Sequence, residues 1–509
     1  MASETSATVL VVLIALGTLG WGFYRAKPFG KLGILAWLQS VALMTPWLLF
    51  FGLFSAGIYL NLVSFLFLLV TSTGLYIFLG NQLRAARQDA SSERAAAIAN
   101  STLEPDTKQT EATETDVPVG ESSTDVAEAK ADTLQPEVLP IPAEDLKAIQ
   151  GIFGIDTFFA TDTIPYQEGA IFKGNLRGEP EAVYARLSES LKQRLGDRYR
   201  LFLVENQQDR KPVFIALPSR NEPAPTTVPQ TVLAVILFLA TVATSLETGG
   251  ILLGFDFFNH LDRFKEPLPI ALGLLATLIA HEIGHRVLAQ RHQVRLSPPF
   301  LIPTWQIGSF GALTRFESLL PNRSVLFDVA FAGPAAGGVA SLLLLITGLL
   351  LSHQGSLFQI PSTFFQGSIL VGTLARVVLG STLQEPLVDV HPLTVIGWLG
   401  LVITALNLMP AGQLDGGRIV QAIYGRRVAG RTTIATLIVL AIASFANPLA
   451  LYWAIVIVFL QRDLERPSLN ELSEPDDARA ALGLLALFLM LATLLPLTPS
   501  LAGRLGIGV

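Results

Sequence analysis

The chain has 509 residues and no cysteine. Disulfides and thiolate metal ligands are therefore excluded, and any zinc site must use histidine and carboxylate. Charge is also scarce, at 15% of residues against 51% hydrophobic. The net charge of -6 is concentrated in one acidic stretch, so it gives no argument for a nucleic-acid partner, and none is expected. Histidine occurs only 6 times. What fills the chain instead is a recurrence of runs of roughly 20 residues with almost no charge. Together with a mean hydropathy of +0.51, these runs describe an integral membrane protein whose partner is the lipid bilayer. The length is enough for several domains.

Residues 1–87 predict an N-terminal transmembrane region of about three spans. Ala7 to Phe23 is the first, and the charge-free run from Leu32 to Asn81 suits a hairpin over 32–54 and 58–80. Arg25, Lys27, Lys31, Arg84 and Arg87 follow these spans and belong on the cytoplasmic side by the positive-inside rule. Residues 88–142 are rich in Ala, Ser, Thr, Glu and Asp, without an aromatic residue, and predict a disordered acidic linker. Residues 143–219 predict a small soluble α+β domain. Ala143 to Gly151 reads as a short helix, and Glu179 to Leu195 as a longer one with Val183, Leu187 and Leu191 on one face. Tyr199 to Val204 and Pro212 to Leu217 read as strands. Residues 220–229 form a proline-rich linker, with Pro223, Pro225 and Pro229.

Residues 230–509 predict a membrane-embedded core. Expected spans are Thr231 to Leu246, ended by Glu247-Thr248-Gly249-Gly250, then about 268–290, Phe327 to Leu351, Pro392 to Leu408 and Ala478 to Leu495. Thr432 to Leu460 reads as one long span or as a hairpin broken at Asn447-Pro448. Residues 352–390 have no assignment beyond an apolar stretch at 368–380. Leu296 to Phe316 contains Pro298, Pro299, Pro303, Gly308 and Gly311, which forbid a regular helix. Irregular backbone at membrane depth is tolerated only inside protein or beside a wet cavity. The segment therefore reads as a re-entrant loop or hairpin next to a site.

That site is announced by His281-Glu282-Ile283-Gly284-His285, within an otherwise apolar segment. On a helix, residues four apart share a face with Cβ atoms about 5–6 Å apart. Both imidazoles can then reach one zinc ion at about 2.0–2.1 Å. Glu282 lies beside them, where a general base on an activated water belongs. Three ionisable groups in five residues of a membrane helix are costly and mark function. Arg286, Arg291 and Arg295 put the end of this helix towards the cytoplasm.

A catalytic zinc has three protein ligands and an open position. Carboxylates near apolar segments are Glu247, Asp328, Asp389 and Asp415. Asp328 begins a helix, where a carboxylate is favourable on dipole grounds alone. Glu247 and Asp389 fall at predicted outer ends. Asp415 sits in Pro410-Ala411-Gly412-Gln413-Leu414-Asp415-Gly416-Gly417, a break in a membrane helix, and Arg426, Arg427 and Arg431 after it match the cytoplasmic placement of the histidine pair. It is the leading candidate, with a plain glycine-turn aspartate as the alternative.

The motif pair, His281 to His285 and then Asn407, Pro410 and Asp415-Gly416, resembles the site-2 protease family of intramembrane zinc metalloproteases. Gly174-Asn175-Leu176-Arg177 ahead of it is similar to the plastid and cyanobacterial subfamily named for ethylene-dependent gravitropism deficiency and yellow-green leaves. The resemblance covers about 143–500. It implies a polytopic α-helical membrane protein with a site-2 protease-like core. One Zn2+ per chain would be held by His281, His285 and Asp415, with Glu282 as base and Asn407 as a polar group near the scissile carbonyl. The implied substrate is a transmembrane protein cut in or near its membrane segment. The implied setting is the plasma or thylakoid membrane of a cyanobacterium-like cell or plastid, with the site facing the cytoplasmic side. The rival readings are an inactive scaffold or chaperone and a metal transporter. The GNLR motif itself reads only as a turn between a strand and a helix.

Overall fold

The structure, a computed structural model, describes residues 20–55, some residues between 68 and 83, and 141–507 except 167, 207, 208, 305 and 446. It comprises two compact units, 1–131 and 132–509. In the first, α1 (Gly30–Ser55) is mostly apolar, with Lys31 in its first turn and Gln39 further on, and contains Pro46. The expected span 7–23, the second hairpin arm 58–80 and the acidic linker 88–142 lie for the most part outside the described residues.

The second unit opens with α2 (Ala143–Gln150), β1 (Phe158–Tyr166), β2 (Gly169–Leu176), α3 (Pro180–Leu195), β3 (Tyr199–Glu205) and β4 (Pro212–Pro218). The strands form one antiparallel sheet in the order β1-β2-β4-β3. Helix α3 buries Val183, Leu187, Leu191 and Leu195, one residue per turn. They share a core with Phe158, Phe172, Leu201, Leu203 and Phe214, at about 1.5–3 kcal/mol for each fully buried large side chain. Strand β1 had no counterpart in the sequence reading. The GNLR motif is also corrected. Gly174, Asn175 and Leu176 end β2, paired with Ala160, Phe159 and Phe158. A Cβ at Gly174 would stand 2.1 Å from the Phe159 carbonyl oxygen, so the glycine permits close strand approach and makes no turn.

The rest of this unit contains α4 (Val228–Leu252), α5 (Leu268–Arg291), β5 (Phe300–Thr304), β6 (Gly308–Leu313) and α6 (Arg323–Leu351). After them come β7 (Phe358–Pro361), α7 (Ile369–Leu379), β8 (Leu387–Val390), α8 (Pro392–Asn407) and α9 (Asp415–Ala443). The chain ends with α10 (Pro448–Val456), α11 (Asp477–Leu494) and α12 (Pro499–Leu505). Among the described residues, α4, α5, α6 and α11 are long and apolar enough to cross a membrane, by length and composition.

Helix α4 does not stop at Glu247 as expected. It runs to Leu252 because Glu247 accepts a hydrogen bond from the Phe257 backbone N–H at 2.9 Å, and Gly249 and Gly250 let the following loop pack against the helix. Asn447 accepts from the Leu449 N–H at the start of α10, so 432–460 is broken there as a hairpin. Residues 352–390 resolve into α7 between the paired strands β7 and β8.

The α+β domain is joined to the helices by more than its linker. Leu203 on the outer edge of β3 donates to the Leu469 carbonyl at 2.8 Å and accepts from the Glu471 N–H at 2.9 Å. Leu469 in turn donates to the Leu320 carbonyl at 2.8 Å, and Leu472 packs into the domain's core.

Candidate metal centre

Helix α5 carries His281 and His285 on one face, and α6 approaches that face closely. The stretch Ala332-Gly333-Pro334-Ala335-Ala336-Gly337-Gly338 makes the approach possible. A Cβ on Gly333 would stand 2.1 Å from His285 Nε2, and one on Gly337 would stand 2.9 Å from the His281 Cβ. From the other side, Gly284 lies against the Ala332 carbonyl, 2.3 Å from where its Cβ would be. Removing the side chain at these three positions is what lets a helix with two imidazoles lie flush on its neighbour.

Asp415 reaches the same point from α9. The chain leaves α8 at Asn407, doubles back through Pro410 to Leu414, and enters α9 at Asp415. Gly412 has φ +49, and a Cβ there would meet the Gln461 carbonyl oxygen at 1.6 Å. The turn therefore requires glycine twice over, by conformation and by space. Gly416 allows the doubled chain to pass the Leu408 carbonyl. Asp415 then sits in the first turn of a helix, where its charge is favoured.

His281 Nε2 lies 3.1 Å from Asp415 Oδ2 and 3.1 Å from His285 Nε2, and His285 Nε2 lies 3.4 Å from Asp415 Oδ2. All three residues are buried. Ligand atoms set tetrahedrally about 2.0–2.1 Å from a zinc ion are roughly 3.3 Å apart, so the triangle has the size zinc requires. The donor chemistry also fits. His285 Nδ1 is 2.8 Å from the Val329 carbonyl. A neutral imidazole bonded there as donor carries its lone pair on Nε2, pointing into the triangle. Two imidazoles and a carboxylate converging without intervening polar groups suit a cation, and three ligands leave a position open.

Glu282 is buried beside them and accepts a hydrogen bond from the Thr314 hydroxyl at 3.0 Å. Thr314 follows β6, so the hairpin β5–β6 adjoins the site as expected. Asn407, at the end of α8, donates its amide to the Phe310 carbonyl at 3.1 Å and the Ile403 carbonyl at 2.9 Å. Gly311, at φ +106, leaves room for it. Asn407, His281, Glu282, Gly311 and Ala312 line one small cavity.

The other carboxylates stay apart. Asp328 is held by Arg479 at 2.7 and 2.9 Å and faces His292 at 3.2 Å. Asp389 accepts from the Gly355 N–H at 2.7 Å. Among the described residues, His281, His285 and Asp415 form the one group of three or more side chains that could hold a metal ion.

Thr314, Arg418 and Glu465 were missed by sequence reasoning. Arg418, one turn after Asp415, lies 3.9 Å from it, pairs with Glu465 at 2.9 Å and donates to the Thr314 carbonyl at 2.8 Å. Its position after Asp415-Gly416-Gly417 was the available signal, because a charge four residues into a buried helix needs a partner.

A buried two-histidine, one-carboxylate triangle with a second carboxylate alongside, set among apolar helices, is a donor set that fits a catalytic zinc ion. The sequence comparisons agree. Residues 269–446 match peptidase family M50, and 147–223 match the EGY3 middle domain. "Probable zinc metalloprotease EGY1, chloroplastic" of Arabidopsis thaliana is 38% identical over 403 residues, covering 72% of this chain and 73% of that protein. "Probable zinc metalloprotease EGY2, chloroplastic" of the same plant is 38% identical over 363 residues, 70% of this chain and 65% of that protein. An EGY3 protein of Oryza sativa subsp. indica is 33% identical over 380 residues, 70% of this chain and 64% of that protein. No solved structure matches. The chain belongs to peptidase family M50, the site-2 proteases, and within it to the EGY group.

Proposed function

We propose that this chain is a polytopic membrane enzyme that hydrolyses peptide bonds in or beside transmembrane segments of other membrane proteins. The observation that carries the proposal is the convergence of His281, His285 and Asp415 beside Glu282 within a bundle of apolar helices. In this reading the first three hold zinc. When bound, zinc supplies a Lewis acid that acidifies a water molecule and polarises a carbonyl. Glu282 would take a proton from the attacking water and deliver it to the departing amine nitrogen. Thr314 keeps the Glu282 carboxylate turned to the site. Asn407, expected as a polar group near the scissile carbonyl, lines the same small cavity as Glu282. Its amide nitrogen already serves two backbone carbonyls, so it holds the hairpin in place beside the base.

The proposed setting is a plastid or cyanobacterial membrane, with the site open to the side that bears the α+β domain, the cytoplasmic or stromal side. The chloroplastic relatives support the first part and the arginines after α5 and in α9 support the second. Gln290→Cys and Val428→Cys should both react with an impermeant reagent added from that side, and labelling from opposite sides would separate the two halves of the site. A transport path would need several ligand clusters, where the described residues bring together one.

Cleavage of a transmembrane peptide in proteoliposomes tests the activity. Glu282→Gln keeps the side chain's shape without the base. It should retain zinc and lose cleavage by orders of magnitude. Unreduced cleavage by that variant would remove the hydrolytic mechanism.

A further inference from the structure

Beside the linker that leaves the α+β domain lies a cavity of about 380 Å³. Its walls are the proline-rich segment 223–227, the loop 315–320 that leaves the β5–β6 hairpin, Gln413, and the strap at 465–467. Each of the last three is continuous with the site. Arg315 follows Thr314, which touches Glu282, and Gln413 lies two residues before Asp415. Glu465 is the partner of Arg418.

Four ionisable residues line this cavity: Arg315, Glu317, Glu465 and Arg466. Both acids are engaged. Glu465 is buried against Arg418 at 2.9 Å. Glu317 accepts from the Thr226 N–H at 2.8 Å and from its hydroxyl. The two arginines are exposed, and among the described residues neither makes an ion pair. The Arg315 guanidinium lies 5.5 Å from the ring centre of Phe300, and Arg466 makes one long bond of 3.4 Å to the Asn221 carbonyl. Two arginines against Glu317, whose partners carry no charge, leave the cavity with a net positive charge.

We infer that this cavity receives the juxtamembrane segment of the substrate, and that Arg315 and Arg466 select an acidic side chain there. The inference rests on the function proposed above and narrows the substrate to a class. Cytoplasmic flanks of membrane spans are enriched in Lys and Arg. A flank carrying Asp or Glu is the uncommon case, so a cationic vestibule repels most membrane proteins and admits few. Charge at the rim of a binding site governs discrimination more than raw affinity, which is what a protease embedded among many other membrane proteins needs.

The test measures binding, so that cleavage is reported separately. Zinc-loaded full-length Glu282→Gln protein in nanodiscs is titrated with three fluorescent transmembrane peptides that differ only in the flank: two Asp, two Ser or two Lys. The Asp peptide should bind about three- to tenfold tighter than the Ser peptide and the Lys peptide weaker than both, the range expected of exposed ion pairs. The gap should close as salt rises. Adding Arg315→Glu and Arg466→Glu should reverse the order, a gain of preference that misfolding cannot produce. Equal affinity for the three flanks, a preference that survives the reversal, or no binding of any peptide would overturn the inference. Cleavage of the Ser peptide by the unmutated enzyme reports on the hydrolase reading alone, whatever the ranking of flanks.

Discussion

The hydroxyl of Thr314 donates to the carboxylate of Glu282 at 3.0 Å, while the carbonyl of the same Thr314 accepts from Arg418 at 2.8 Å. One residue thus ties Glu282 on α5 to the helix that begins with Asp415, through its side chain on one side and its backbone on the other. Thr314→Val keeps the shape and removes the donor. We expect kcat to fall about ten- to hundredfold, the usual cost of losing an orienting hydrogen bond behind a metal site, with KM and zinc content nearly unchanged. Thr314→Ser should recover most of the loss. Full kcat in the valine variant would show that the bond is incidental.

Asp415 and Asp328 are separable by metal analysis. Asp415→Ala leaves two histidines facing each other and should lose zinc and cleavage together. Asp328→Ala removes a pair with Arg479 that is partly buried, so it should cost about 1 kcal/mol of stability and keep the metal. The opposite pattern in zinc stoichiometry would mean that the wrong carboxylate has been assigned.

Two glycines five residues apart on α6 should behave in opposite ways. A Cβ at Gly333 would overlap His285 Nε2, whereas one at Gly338 meets nothing closer than Thr404 Cγ2 at 3.6 Å. Gly333→Ala should therefore displace the imidazole and weaken zinc binding. Gly338→Ala should bind zinc normally and gain up to about 1 kcal/mol from helix propensity. Equal zinc affinity in the two variants would contradict the close packing of α5 on α6.

In the α+β domain, the Tyr199 hydroxyl donates to Asp145 at 2.8 Å. Burial first, and that bond second, push the Tyr199 pKa up to about 12. A folded-state pKa above the ordinary value near 10 stabilises the fold fully below pH 10. That contribution is lost as pH rises towards 12. Thermal unfolding of the full chain should show a drop across that window, and the drop should be smaller in Tyr199→Phe. Identical pH dependence in the two proteins would dismiss the contribution.

The parts of the site that lie close in sequence or on a periodic element were legible. His281 and His285 share a helix face by spacing alone, and Asp415 betrays itself by sitting in a glycine turn where a membrane helix breaks. Thr314, Arg418 and Glu465 were not legible, because each acquires its role only through a partner 32 to 104 positions away. Strand β1 was hidden by Asp162 and Pro165, residue types depleted in strands. The fold accommodates them at a sheet edge with a register shift between Ala160 and Asp162. The overlong α4 was hidden for a related reason. Glu247 reads as a terminus until the Phe257 N–H is seen to satisfy it.

The bonds that Leu203 makes to Leu469 and Glu471 also bear on what a cut in the chain would do. The proline-rich linker 220–229 is the only covalent route from the α+β domain into the helices, yet it is not the only attachment. A single nick there should yield two fragments that co-migrate through size exclusion in mild detergent, since residues 469–471 of the second fragment bridge to the edge strand of the first. Conversely, a shortened chain ending at 219 would present the bare edge of β3 to solvent and invite self-association. The two regions are thus inherited as a pair: a graft of either onto a foreign neighbour would have to bring residues 469–471 or an equivalent with it.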